Sequence, residues 1–297
     1  MSEIAVIGGD VRQAATAEAL VEAGHKVCVF GIDAQLLQGA VFCANLSRAL
    51  MHAEAVVLPL PVTHDGEHIP CDAGDVPVRF SEILHKVQAG TVLMGGYIPQ
   101  PFFEMARAQD VPLYDYYTSE EVTLRNACAT AEGAIAVAIA NTDTVLCGLH
   151  AAVIGFGRIG RMLARLLYAL GVHVTVYARS SEARTWAEIE GYAAAELCDG
   201  GVPASIVSGF GIVFNTVPAR VLCRARLTEM SKDTLLVELA SKPGGFDPAD
   251  ARDAGLRTVY AQGLPGRYAP VSAGRAIAVR VLKILREREE SAHESNG

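Results

Sequence analysis

The chain has 297 residues, 51% of them hydrophobic, and a formal net charge of −8. That length and apolar content suffice for two cores of ordinary size, and the acidic balance, with no block of basic residues, argues against a nucleic-acid surface. No apolar run reaches membrane-spanning length, and Met1 leads straight into a strand pattern containing Glu3, so neither anchor nor signal peptide is expected and the cytoplasm is the default compartment. Seven scattered cysteines, with no C-x-x-C pair, read as small buried hydrophobes of a reducing compartment.

Ile4 to Ile7 form a strand-like run that breaks into Gly8-Gly9-Asp10-Val11-Arg12-Gln13 and continues as an Ala-rich helix to about Gly24. This β-turn-α unit lacks the third glycine of a dinucleotide fingerprint, and Asp10 sits where it caps the helix and repels a phosphate, so no nucleotide is expected here. Further strands are expected at Lys26 to Phe30, Ala55 to Leu60, Thr91 to Gly95 and Pro112 to Tyr114, separated by helical patterns such as Phe102 to Ala108. That alternation predicts a parallel sheet covered by helices. The polar stretch from Pro61 to Val78 contains His64 and His68, but Gly66 and Pro70 deny the helix that would aim both at one metal; a mobile loop without metal is expected. Thr118 and Glu121 match a capping box, and Leu124, Cys128, Ala131, Ile135 and Ile139 mark a long helix to about Asn141. Following one α/β unit and preceding another, it reads as a connector.

Ala151 to Ile154 then run into Gly155-Phe156-Gly157-Arg158-Ile159-Gly160, a GxGxxG that leads directly into a helical pattern with Ile159, Leu163, Leu166, Leu167 and Leu170 on one face. Gly155 permits the tight turn, Gly157 lets backbone approach a pyrophosphate, and Gly160 lets the helix lie close on the strand. The helix offers its unpaired amides to the anion. Gly171 stops the helix before a strand from Val172 to Tyr177. At the end of that strand, where an NAD-binding chain carries an acid about 20 residues beyond the motif, this chain reads Arg179-Ser180-Ser181. An Arg with hydroxyls suits a 2′-phosphate, so NADP is the expected cofactor.

Strands at Ile212 to Thr216, Leu235 to Leu239 and Thr258 to Tyr260 continue the second sheet. Ligands of open α/β sheets lie beyond the carboxyl ends of the strands. Asn215-Thr216-Val217-Pro218 and Gly263 are therefore expected at the cofactor, and Lys242, in Ala240-Ser241-Lys242-Pro243-Gly244-Gly245-Phe246-Asp247, at the substrate as its catalytic contact. Ser272 is expected to cap a last helix through Arg286 that returns to the first domain, with a frayed tail from Glu287 to Gly297. The expected organisation is a substrate domain over 1–120 joined by helix 272–297, a connector over 121–144, and a dinucleotide-binding domain over 145–271.

The stretches Gly8-Gly9-Asp10 with Arg12-Gln13, Asn126-Ala127 with Thr130 to Ala134, and Val153 to Gly160 resemble the A subunits of dipicolinate synthases. So do Asn215 to Pro218, Glu238 to Asp247, and Gly263-Leu264-Pro265-Gly266 with Ala269-Pro270, which carries the resemblance over nearly the whole chain. It implies two Rossmann-like domains, α/β and doubly wound, joined by crossing helices, and an NADP-dependent oxidation that yields pyridine-2,6-dicarboxylate from a reduced cyclic dicarboxylate of the lysine pathway. It also implies endospore formation in a mother cell, and a hetero-oligomer with a flavoprotein-like B subunit. A more distant likeness is to D-2-hydroxyacid dehydrogenases, in which an Arg occupies the place of Lys242 and binds the substrate carboxylate. Those enzymes need a general acid/base, usually His from the second half, and none stands between His173 and His293. Aromatisation, driven by the product ring, fits better; an NADP-binding scaffold that activates a partner is the non-enzymatic alternative. Gly9, Asp10, Arg12 and Lys242 are the expected substrate contacts. A basic residue in a first helical turn opposes the dipole, so Arg12 is expected either to pair with Asp10 or to grip one substrate carboxylate while Lys242 grips the other.

Overall fold

The computed structural model describes residues 2–73, 77–198, 201–203 and 209–294, positions 292–294 by backbone alone. The chain divides into two compact units, Met1–Asn126 with Ala269–Gly297, and Ala127–Tyr268. In the first, chain order is β1 (Glu3–Ile7), α1 (Val11–Glu22), β2 (Lys26–Phe30), β3 (Val41–Phe42), α2 (Leu46–Leu50), β4 (Ala55–Val57), β5 (His68–Ile69), β6 (Val78–Arg79), α3 (Phe80–Lys86), β7 (Val92–Gly95), α4 (Gln100–Ala108) and β8 (Leu113–Asp115). Then α5 (Glu120–Ala140) crosses the division. The second unit holds β9 (His150–Ile154), α6 (Arg158–Ala169), β10 (His173–Ala178), α7 (Ser181–Ile189), β11 (Ala193–Glu196), β12 (Ile212–Asn215), α8 (Arg224–Glu229), β13 (Leu235–Glu238), α9 (Pro248–Asp253), β14 (Arg257–Tyr260) and α10 (Leu264–Tyr268), before α11 (Pro270–Glu294).

Each unit is a six-stranded parallel sheet, ordered β3-β2-β1-β4-β7-β8 in the first and β11-β10-β9-β12-β13-β14 in the second. Both are doubly wound, with the strand order reversing beside β1 and beside β9. The alternation of side chains across a strand explains the two layers on each sheet. Ile4 and Val6 of β1 pack with Ala14, Ala17 and Leu20 of α1 and with Ile277, Val281 and Ile284 of α11. Ala5 and Ile7 face the other way, toward Leu50 of α2, Ile83 of α3 and Phe102 of α4. In the second unit Ala151 and Val153 meet Leu163 and Leu167 of α6, while Ala152 and Ile154 meet Leu227 of α8 and Ala251 of α9. The return of the last helix is tight: the Thr16 hydroxyl on α1 donates to Gly274 O at 3.2 Å, and a side chain at Gly274 would run into α1 backbone.

Four local expectations are corrected. The Thr118 hydroxyl donates backward to Asp115 O at 2.7 Å, so it closes a 3-10 turn, and Ser119 O receives the first bond of α5 from Thr123 N instead. Ser272 lies inside α11; Ala269 O accepts from Ala273 N, and Pro270 begins the helix, where its missing N–H costs nothing. The tail is helical to Glu294 rather than frayed at Glu287, because Glu and Arg are strong helix formers and Arg280 pairs with Glu287 at 3.2 Å; positions 295–297 lie outside the described residues. The stretch from Pro61 to Val78, expected as a loop throughout, contains a short strand pair: the Asp65 carboxylate accepts from Glu67 N at 2.9 Å and His68 N at 2.8 Å, and β5 pairs antiparallel with β6. Positions 74–76 of that stretch lie outside the described residues.

Candidate functional site

In the second unit, β9 ends at Ile154 and the chain turns through Gly155 at φ 94°. A side chain on Gly155 would meet the Thr216 hydroxyl, and one on Gly160 would meet Gly155 O, so both positions admit only hydrogen. Gly157 differs, because none of the described residues lies within 4 Å of where its Cβ would stand. It is the N-cap of α6, whose first carbonyl bond runs from Arg161 N to Gly157 O at 2.9 Å. An open space before the first turn of a twelve-residue helix is the cradle a pyrophosphate requires. Phe156 beside it is fixed by the edge of Tyr192, with ring centroids 6.2 Å apart, and by the Arg161 guanidinium at 5.6 Å. Ile159 packs into the core behind the turn, and Arg158 opens the helix.

The end of β10 lies next to that turn, since Gly155 N donates to Tyr177 O at 2.8 Å. Arg179 there is exposed, and Ser180 caps α7 by accepting from Ala183 N at 3.1 Å. Arg184 was not among the residues expected from sequence: its Nη1 donates to Ala178 O at 3.0 Å and to Arg179 O at 2.6 Å, which holds the strand end from one turn into α7.

On the other side of β9, Thr216 locks the next strand end to the phosphate turn by donating its hydroxyl to Ile154 O at 2.8 Å. Asn215 is wholly buried, donating Nδ2 to Val217 O at 2.9 Å and accepting from Val217 N at 3.2 Å, so the Asn215 to Pro218 turn is closed on itself. Its register partner Glu238 is 2% exposed. The Glu238 carboxylate accepts from Asn215 Nδ2 at 2.8 Å, Ala240 N at 2.8 Å and Gly245 N at 2.7 Å. Burial pushes this carboxyl above its ordinary range, and the three donors pull against that rise. The Ala240 to Phe246 loop so anchored presents Lys242 to solvent. Gly263, after β14, takes a φ of 68° and has open space at its Cβ position.

In the first unit Asp10 caps α1, accepting from Arg12 N at 2.9 Å. The Arg12 guanidinium closes on the same carboxylate, Nε to Oδ1 at 2.9 Å and Nη2 to Oδ2 at 2.7 Å, and Nη2 also donates to Leu60 O at 2.7 Å. That pair offsets the unfavourable position of a cation at the positive end of a helix. The amide of Gly9 donates to Pro70 O at 2.6 Å, so the backbone group a phosphate would need is already taken. Among the described residues no group of three or more His, Cys, Asp or Glu is arranged to hold a metal, and His68 Nδ1 lies 2.7 Å from Asp65 Oδ2. No helix among them is long and apolar enough to cross a membrane.

These features agree with the relationships of the chain. Residues 3–117 match the family model for the N-terminal domain of the dipicolinate synthase A subunit, and residues 128–241 match that for the NAD binding domain of D-isomer specific 2-hydroxyacid dehydrogenases. The A subunit of dipicolinate synthase from Bacillus subtilis is 33% identical over 294 residues, 96% of each chain. The crystal structure of the Bacillus halodurans A subunit has a TM-score of 0.84 at 28% identity, covering 96% of this chain and 97% of its own. The one from Bacillus subtilis has a TM-score of 0.83 at 30% identity, covering 98% and 97%. With the nicotinamide-binding domain, the doubly wound pair of sheets and this full-length likeness in place, the chain belongs to the family of dipicolinate synthase A subunits, which are oxidoreductases.

Proposed function

We propose that the chain oxidises dihydrodipicolinate, or its hydroxytetrahydro precursor with loss of water, to pyridine-2,6-dicarboxylate with NADP, in the cytoplasm of a sporulating mother cell and together with a flavoprotein-like B subunit. The observation that carries this reading is the likeness over 96% of both chains to a dipicolinate synthase A subunit, supported by a phosphate turn whose Gly157 position is open. In the reading, the turn from Gly155 to Gly160, Phe156, Arg158 and Ile159 included, holds the pyrophosphate. Arg179 and Ser180 take the 2′-phosphate. Asn215, Thr216, Val217, Pro218 and Gly263 border the nicotinamide, which accepts a hydride when bound.

Lys242 holds one ring carboxylate as an ammonium point charge and orients the ring. Oxidation of the dihydro ring releases one hydride to the cofactor and one proton to solvent, and gains aromatic stabilisation. A strongly basic side chain is not required for that loss, in keeping with the lack of His between His173 and His293. A second reading, equally compatible with that lack, is an NADP-binding scaffold for a catalytic partner. The two are separated by adding freshly generated dihydrodipicolinate and NADP to the chain, with the B subunit or without it, while ultraviolet absorbance follows the pyridine product. Cofactor reduction that depends on Lys242 supports catalysis here; bound NADP that stays oxidised while product forms supports the scaffold.

A further inference from the structure

The Glu238 carboxylate is buried, and an ionised carboxylate is costly to bury unless its acceptors are filled. Its three donors come from two segments, the end of the neighbouring strand and the loop that follows its own. Asn215 Nδ2 belongs to the turn after β12, and Ala240 N and Gly245 N bracket the loop that carries Lys242. Gly245 is a second node, since its carbonyl accepts from Val221 N at 2.8 Å and Leu222 N at 2.9 Å, and a side chain there would strike the Asn215 amide. The turn, for its part, is tied by Thr216 to Ile154 at the root of the phosphate turn. One carboxylate therefore gathers the two segments assigned to the nicotinamide and to the substrate.

We propose that Glu238 is the positioning residue of this site: it holds the Asn215 to Pro218 turn and the Ala240 to Phe246 loop in one register, and so fixes where Lys242 and the turn meet the ring and the nicotinamide. This rests on the function proposed above. Only a carboxylate meets the requirement, because all three neighbours are donors and an amide of the same shape offers a single acceptor oxygen. Glu238→Gln sets an NH2 against at least one N–H and frees one segment without emptying the core.

The test uses the full chain with its B subunit. NADPH titrated into E238Q should bind within about threefold of the unmutated affinity, since the phosphate turn and Arg179 are untouched, while nicotinamide emission of the bound cofactor shifts toward that of free NADPH. Turnover should fall tenfold or more, chiefly in kcat. Glu238→Asp, which keeps the charge one methylene short, should lie between and carries the same test if E238Q does not fold. Unchanged emission and kcat, even with a lowered melting temperature, overturn the proposal. If the unmutated complex does not oxidise dihydrodipicolinate, the substrate reading fails on its own, and the emission of bound NADPH decides the role of Glu238.

Discussion

At the scale of single residues, the side chains that carry charge are spoken for by their own neighbours to very different degrees. Arg179 is exposed at the end of β10, and on the proposed reading it recognises the 2′-phosphate. Arg179→Ala should therefore remove most of a preference for NADP over NAD, a loss of about 1.5–3 kcal/mol for a charge-assisted contact; calorimetry that finds equal affinity for the two cofactors in the unmutated protein contradicts this. Gln13 presents the opposite case. It is 1% exposed on the first turn of α1, and neither its Nε2 nor its Oε1 has a hydrogen-bond partner among the described residues. Gln13→Met keeps the length and removes two unsatisfied groups, so stability should rise by about 1 kcal/mol and Tm by about 2–4 °C. A fall in Tm would mean that the amide is paired in solution.

Cys71 illustrates a pH effect at the same scale. Burial, and next the charge of Asp72, push its thiol from 9.0 up to about 11. The unfolded chain thus releases this proton before the folded one does, and stability is lost as the pH rises through that window. Cys128, Cys147, Cys198 and Cys223 are exposed rather than buried as expected from residue type. Titrating with a thiol reagent at pH 8 should modify Cys147, Cys198 and Cys223 and spare Cys71. Modification of Cys71 at the rate of the exposed thiols would contradict the assignment.

At the scale of elements, periodicity and glycine spacing were enough to read β1, β9 and α6, because four successive buried residues and a 3.6-residue apolar stripe are local signals. The two-residue strands β3, β5 and β6 carry no such period, and only their partners make them strands. The spacing of Thr118 and Glu121 and the residue type of Ser272 both suggest caps, but the hydrogen bond of Thr118 and the start of α11 at Pro270 place neither there. The Glu238 network was hidden for a related reason: it depends on a register that sets Glu238 opposite Asn215 across 23 residues of sequence. The phosphate turn separates fold from function most cleanly. Gly157→Ala meets open space at a φ of −81°, so Tm should stay within about 2 °C, whereas the methyl takes the room of a pyrophosphate and the cofactor Kd should rise at least tenfold, about 1.4 kcal/mol. Differential scanning calorimetry with and without NADP reads both, and an unchanged Kd would move the cofactor away from this turn.

At the scale of the whole molecule, family and architecture were legible because the resemblance runs through both halves, and two parallel sheets, each doubly wound, are what the structure holds. The distribution of labour was less so. Arg12 satisfies Asp10 and Leu60 O within its own unit, so a structural and a substrate-binding role make different demands on it: Arg12→Ala should raise KM tenfold or more if it grips a carboxylate, and lower Tm with kcat/KM unchanged if the pair is its whole duty. The central claim is tested most directly by stopped-flow absorbance of the unmutated chain with its B subunit, NADP and freshly generated dihydrodipicolinate. Formation of pyridine-2,6-dicarboxylate in step with NADPH, abolished by omitting the chain and slowed tenfold or more by Lys242→Ala, is the predicted result. Product formed at the same rate without NADPH appearing, or with K242A in place of the unmutated chain, would contradict it.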